Sequence, residues 1–524
     1  MTSPAWLVDL VAGQTWRFAS REIRWNGHTY ADGLGVSDGG VDVLSFAEPT
    51  ERAIQVTINA QHVPAFDVDD VAIGATATVY YWHDPDGTED PVIAVAGVVE
   101  DPEYGGDAEP LTATVREVPW DDRGLLPDAR AKVDDETWPD HDPAIRGEFY
   151  PIVFGAPGVV DSGGSSAGFG SPALYVDTGG GADLVLLAGH PVAAATVVVR
   201  DITAGTAGVF NVQHQTDGLG RRVAVTDLTA DRVSGSLGAA VAGNEYWTRW
   251  SGSAGGLPSL TTPAVAMTGA GDVIEWLLHR STIRVDWGRL RAAAGRLNAY
   301  KIDTYVQADP EERVKPWEWI ADQLLPLLPV AVRTGPKGAY LAVFDPASQP
   351  KDVRGRLEAG RNCDRISPIS VVGTADVAND FVLAYAAQAE EDTFYKEVRV
   401  TGSRATMDAY ASSRRSAICQ ESVRRFGVVV RELTAAAIYD PSTAARVLTA
   451  MAAREALPAR EVAYAVDDDA DLRDLEPGDP VAITDASLGW SSRVAYVWSV
   501  RVAAEREVVL RLWHQIGRDK SSAG

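Results

Sequence analysis

The chain has 524 residues, 46% of them hydrophobic, enough for about three or four domains with real cores, so disorder is not the default state. Lys and Arg number 47 against 73 Asp and Glu, a net charge of -26, which disfavours a nucleic-acid reader because phosphate neutralisation needs clustered cations. Two cysteines, Cys363 and Cys419, with no CxxC pair, exclude a disulfide framework and are expected to be small buried residues.

The first residues, Met1 to Leu10, lack a basic stretch followed by a continuous apolar one, so no secretory signal is expected. No apolar run approaches the ~20 residues that span a bilayer. The protein is expected to be made in a cytoplasm and to stay soluble there until assembly.

Residues 1–144 read as antiparallel β. Arg17–Ala19 and Glu22–Trp25 flank a turn, and Asn26-Gly27 suits a tight hairpin because both positions tolerate positive φ. Asp38-Gly39-Gly40 reads as another turn. Val79–Trp82 reads as a strand, Asp84–Gly87 as a turn and Val92–Val99 as the return strand. Such spacing predicts a small barrel or sandwich.

Glycine and serine crowd 161–170, 179–181 and 251–256, around the β-like runs Leu184–Leu187 and Ala195–Val199. The span 145–258 is therefore read as a β-rich insertion, peripheral to the rest because long surface insertions cost little loop-closure entropy.

From 259 to 375 the pattern becomes α+β. Asp272 and Glu275 read as the N-cap and N3 residues of a helix whose Ile274, Leu277 and Leu278 share a face. Pro316 opens a second helix, in which Trp317, Ile320, Ala321, Leu324 and Leu325 keep helical spacing before Pro326 and Pro329. Trp319 lies roughly 200° around the helix from Trp317 at about 100° per residue. It is therefore a candidate contact with another domain or subunit. A hairpin follows, Val330–Arg333 and Tyr340–Phe344 about Gly335–Gly338.

The span 376–524 reads as a second barrel with one helix. Asp440-Pro441 starts the helix, and Ala444, Val447, Leu448, Met451 and Ala452 form its buried stripe. Val462, Tyr464 and Val466 alternate. Leu475–Pro480 is a turn into Val481–Ile483. Val494, Tyr496, Trp498, Val500 and Val502 then alternate, answered by Val508, Leu510 and Leu512. Trp498 is the second candidate interface residue, one of 15 tryptophans.

Chemistry-bearing patterns are weak. Gly164–Gly168 matches G-x-S-x-G around Ser166 but lacks the strand-to-helix elbow that the motif needs. The eight histidines form no H-x-x-x-H pair, and His83 and His141 each begin a turn-like His-Asp-Pro. Asp467–Asp471 opens like a calcium loop, yet Leu472 replaces the required glycine and Gly478 the closing glutamate. Glu311-Glu312 and Glu390–Asp392 read as exposed charge. No catalytic, cofactor-binding or metal-ligating residue is expected, and the chain is not read as an enzyme.

Taken in order, these pieces resemble the tail hub (baseplate hub) family of long-tailed bacteriophages and phage-like particles. The resemblance is carried by the Arg17-Phe18 strand with Ile23–Tyr30, by the Trp317–Leu325 helix and its hairpin, and by the Ala444–Glu455 helix with the L-x-P-G-D-x-V turn at Leu475–Val481. The glycine-bounded insertion departs from a minimal hub.

The resemblance implies a mainly β fold with α+β: two small β-barrel tube-type domains, a β-rich insertion and a mixed α/β middle region. It implies a structural virion protein at the tail tip, assembled in the bacterial host cytoplasm, with no cofactor and no membrane span. Three chains would present six barrels, adapting a sixfold tail tube to a threefold tip and forming part of the DNA ejection channel. Implied partners are the chain itself as a homotrimer, the tail tube or distal tail protein, the tape-measure protein, and spike or fibre proteins. Genomic DNA would meet it only in passage, through a lumen expected to be acidic or neutral. The rival reading is a receptor-binding or carbohydrate-degrading tail protein, which needs an exposed aromatic platform or paired carboxylates in a cleft.

Overall fold

The computed structural model describes residues 4–36, 39–42, 53–59, 66, 74–82, 85, 90–104, 110–117, 122–158, 168–177, 182–250, 257–258, 265–335, 337–344, 353–388, 393–467, 472, 475–502 and 506–513. The chain is mainly β, with helices gathered in the middle and in the stretch after residue 400.

The N-terminal sheet is rolled and mostly antiparallel, with one parallel pair between Gln14–Ala19 and His28–Asp32. Its order is Ile23–Trp25, His28–Asp32, Gln14–Ala19, Ala5–Ala12, Thr76–Trp82, Val92–Glu103, Leu111–Glu117, Ala53–Ile58 and Leu34–Val36. Alternation places Val8, Leu10, Phe18, Val56, Val79, Val95 and Val115 on one enclosed face. The hairpin between Ile23–Trp25 and His28–Asp32 turns at Asn26 and Gly27, with φ of 51° and 78°, the left-handed pair that its sequence favours. It folds over the outer face, where Trp25 lies 5.1 Å from the Tyr80 ring beside buried Leu7 and Tyr30.

The segment expected to turn at Asp38–Gly40 does something else. Asp38 lies outside the described residues, but Gly39–Asp42 is a strand, and it leaves its own sheet to pair antiparallel with Trp490–Val502. The register runs Asp42 to Ser499 and Gly39 to Val502. Two glycines read as a turn because neither projects a side chain that would reveal alternation.

Eight antiparallel strands between Ser171 and Trp250 form a sheet of their own. Every residue of Leu184–Ala188 is buried, because its two faces cover different cores: Val185 and Leu187 one, Leu184 and Leu186 the other. The continuous apolar run in the sequence is thus a strand covered on both sides. Ile152–Phe154, within the same expected span, instead pairs with Thr304–Val306.

The central core is α+β. Helices α1 (Ala270–Leu278), α2 (Trp287–Leu297) and α3 (Pro316–Gln323) pack with the Val330–Gly335/Gly338–Val343 hairpin. α1 starts earlier than expected. Its N-cap is Gly269, and Asp272 sits in the first turn, exchanging hydrogen bonds with Asn298 (3.0 Å to its N–H, 2.7 Å from Asn298 Nδ2). Gly271 makes the α1–α2 crossing: a Cβ there would lie 2.3 Å from the Ala294 carbonyl oxygen.

Helices α4 (Arg404–Ala409), α5 (Ala417–Phe426) and α6 (Pro441–Glu455) accompany a four-stranded sheet ordered Ser413–Arg415, Thr393–Thr401, Asp380–Gln388, Val430–Ala435. Ala444, Val447, Leu448, Met451 and Ala452 of α6 are buried, as their spacing predicts.

The C-terminal sheet is ordered Gly355–Glu358, Pro480–Asp485, Trp490–Val502, Arg506–Leu512, Ala459–Val466, Cys363–Arg365. Its two ends are consecutive in the chain. The turn at Ala359–Asn362, closed by the Gly360 N–H on the Cys363 carbonyl at 2.9 Å, joins them, so the sheet rolls into a barrel about Leu357, Val462, Tyr464, Ile483, Val497 and Leu510.

Sheet pairing cuts across the expected boundaries at 375 and 376. Gly355–Glu358, Cys363–Arg365 and Ser370–Val372 belong to the C-terminal sheet, whereas 380–435 forms a separate sheet with α4 and α5 in addition to the one expected helix. Strands of three or four residues are too short to show a period in sequence.

Candidate assembly surfaces

The two tryptophans singled out from sequence lie in different settings. Trp319 is half-buried on α3 and packs against the central core, its ring 6.3 Å from that of Phe154 on the Ile152–Phe154 strand. Trp317 on the opposite face is buried.

Trp498 is 7% exposed. It belongs to an aromatic cluster with Phe344, Tyr496 and Trp513 at centroid distances of 5.3–6.3 Å. The Arg511 guanidinium lies 3.2 Å over its ring and donates to Glu461 at 2.6 Å. Trp498 and Trp513 also line a cavity of about 370 Å³, whose rim carries Arg431, Arg454 and Glu455 joined as ion pairs. Sequence alternation found Trp498; Phe344 and Trp513 each lie just past the end of a separate strand, and no local signal marks them as its partners.

A second surface has no counterpart in the sequence reading. Phe426, Val428 and Val430 are 44–51% exposed where α5 ends and the edge strand Val430–Ala435 begins. Asn379, fully buried, anchors this stretch: its Nδ2 donates to the Gly427 carbonyl at 2.8 Å and to Ser422 Oγ at 3.0 Å, and its Oδ1 accepts from the Val429 N–H at 2.9 Å. The anchoring fixes the backbone and leaves valine side chains in solvent, a pattern that edge strands ordinarily avoid.

Ser166, His83 and Glu390–Asp392 lie outside the described residues, as does Asp468–Asp471. His141 is buried with Nδ1 2.7 Å from the Trp138 carbonyl oxygen. Glu311 and Glu312 are exposed. Among the described residues no group of three or more His, Cys, Asp or Glu is placed to hold a metal ion. Cys363 and Cys419 are buried and free, and burial pushes their thiols up to about 12 and about 11. Among the described residues no helix is long and apolar enough to cross a membrane.

Two titratable groups, half-buried His190 and buried Asp303, sit where the 171–250 sheet meets the central core. His190 accepts the Val153 N–H on Nε2 at 3.0 Å and so donates Nδ1–H to the Pro191 carbonyl at 2.8 Å; burial pushes its imidazole down to about 4. Asp303 accepts the Ala156 N–H at 2.8 Å, and burial, with Asp440 adding repulsion, pushes its carboxyl up to about 6.

The sign for Asp303 follows. A folded pKa above the unfolded value of ~3.9 means that the folded state holds more protons between about pH 4 and 6, so stability falls as pH rises through that window. Asp303→Asn keeps an acceptor for Ala156 and removes the charge. It is expected to raise stability by up to about 3 kcal/mol at pH 8 and to change little at pH 4, at ~1.4 kcal/mol per pKa unit. Urea unfolding at both pH values checks this, and a loss at pH 8 would contradict the charge-cost account.

No family model matches the chain, and no curated protein matches it. Among solved structures, it is similar to a tail protein from Neisseria meningitidis MC58, at 9% identity and TM-score 0.39, over 97% of each chain. It is similar to the 43 kDa tail protein of prophage MuSo2 from Shewanella oneidensis, at 10% identity and TM-score 0.38, over 97% of this chain and 98% of that one. A chain of the native gene transfer agent virion particle aligns at 18% identity and TM-score 0.19, over 47% of this chain and 79% of its own. Similarity at these TM-scores fixes neither fold nor function, so the chain's own residues must carry the functional reading.

Proposed function

We propose that the chain is a structural tail hub that acts by assembly and performs no covalent chemistry. The observation that carries this reading is the strand Gly39–Asp42, which leaves the N-terminal rolled sheet and is zipped to Trp490–Val502 of the C-terminal barrel. A chain that supplies two adjacent barrel positions to a ring needs its two β units held side by side. A backbone ladder between them is a rigid way to hold them.

Three such chains would place six β units around one axis, matching a sixfold tube with a threefold tip. The 171–250 sheet would project from that ring. Partners in the reading are further copies of the chain, the tail tube or distal tail protein, the tape-measure protein and tip spike or fibre proteins. The charge of -26 suits a channel that DNA must pass without sticking, because a lining of Lys and Arg would hold phosphate and oppose ejection. Trp319 and Trp498 remain proposed interface residues, Trp319 through its half-exposed edge and Trp498 through the cavity that it lines.

Electron microscopy of tail tips is the test. The expected result is a threefold ring on the tail axis, with two β lobes per copy and inward loops richer in Asp and Glu than in Lys and Arg. A chain placed off the axis, or a basic lumen, would end the proposal.

A further inference from the structure

In a chain with 26 more acidic than basic residues, one groove gathers cations. It lies between the end of α2, the outer face of α6, the residues following the Gly338–Val343 strand and the short strand Ser413–Arg415, and encloses about 540 Å³. Arg296, Arg414 and Arg446 converge on it from three elements. All three are exposed. Arg446 rests its guanidinium 5.9 Å from the Tyr300 ring, and among the described residues neither Arg414 nor Arg446 makes an ion pair. The floor is apolar and shallow-sided, built from Phe344 and the small side chains Ala445 and Ala453.

We propose that this groove docks an acidic polypeptide segment in which Asp or Glu alternates with small apolar residues. The charge complementarity is specific. Guanidinium groups recognise carboxylates bidentately, and three of them fanned around an apolar floor read a carboxylate on each side of a small buried side chain. The small floor residues let a backbone approach closely. A nucleic-acid duplex fits poorly, since it is too broad to enter the groove and would touch only the rim. This inference concerns an isolated chain and stands whether or not the chain is a hub.

The test is fluorescence anisotropy with the full-length protein and a labelled twelve-residue peptide of alternating Glu and Ala, capped at both ends. Saturable binding is expected that weakens as salt rises, since the three cations are solvent-facing. The Gln-for-Glu peptide is expected to bind at least tenfold more weakly. Arg414→Glu, alone and with Arg446→Glu, is expected to weaken the Glu peptide at least tenfold with an unchanged melting temperature, while Arg414→Lys, which keeps the charge and loses the bidentate fork, weakens it less. No saturable binding to the Glu peptide overturns the proposal, as does equal binding by the charge-reversed variants. Displacement by a short single-stranded DNA at lower concentration than unlabelled peptide would assign the groove to phosphate and overturn it too.

Discussion

Phe344→Ala is expected to cost about 3–5 kcal/mol of stability, the range for removing a buried aromatic ring. Phe344 is 1% exposed, and its ring meets those of Tyr496, Trp498 and Trp513 at 5.5–5.8 Å. It reaches them from the end of the central hairpin, so it ties the α+β core to the C-terminal barrel. No neighbour is free to collapse into the void, because Tyr496 and Trp498 are rigid rings held in one strand and Trp513 directly follows another. Guanidinium unfolding is expected to show a lower midpoint with an unchanged slope. A loss below about 1 kcal/mol would mean that the four rings do not form one packed unit.

Replacing Gly39–Asp42 with four prolines, which lack the backbone N–H donors of a ladder, is expected to uncouple the N-terminal sheet from the C-terminal barrel. Four register pairs join them. At a net ~0.5–1.5 kcal/mol per hydrogen bond, the ladder is worth about 2–6 kcal/mol of coupling. Calorimetry is expected to resolve two transitions where the native chain melts these units together, with far-ultraviolet circular dichroism nearly unchanged before the first. A single transition at the native midpoint would show that the ladder does not couple the units and would weaken the hub reading at its main support.

The sequence revealed elements whose punctuation and period agree. Asn26-Gly27 specified a turn, Pro316 a helix start, and Asp440 an N-cap whose carboxylate accepts the Thr443 N–H at 2.8 Å. Alternation from Val494 through Leu512 found the longest hairpin of the C-terminal barrel. It failed where packing is made by residues with little hydrophobic signal. α2 buries Leu290, Ala293, Ala294 and Leu297 at helical spacing, but two alanines and two helical glycines blur it. α5 buries just Cys419 and Ser422. The crossing strand Gly39–Asp42 carries no pattern, since its identity as a strand comes from a partner more than four hundred residues away. The cationic groove was equally hidden: Arg296, Arg414 and Arg446 are ordinary surface arginines until the fold brings them together.

That distant partner has a consequence for biosynthesis. Gly39–Asp42 leaves the ribosome more than four hundred residues before Ser499–Val502, the stretch that it pairs with. At roughly 5–20 residues per second, the early segment waits about 20–90 seconds with its backbone edge unfilled. A polypeptide that stops before Ser499 therefore lacks the seam between the two β units. The late strand acts as a timing device: the N-terminal sheet and the C-terminal barrel are locked side by side only once Ser499–Val502 has been made.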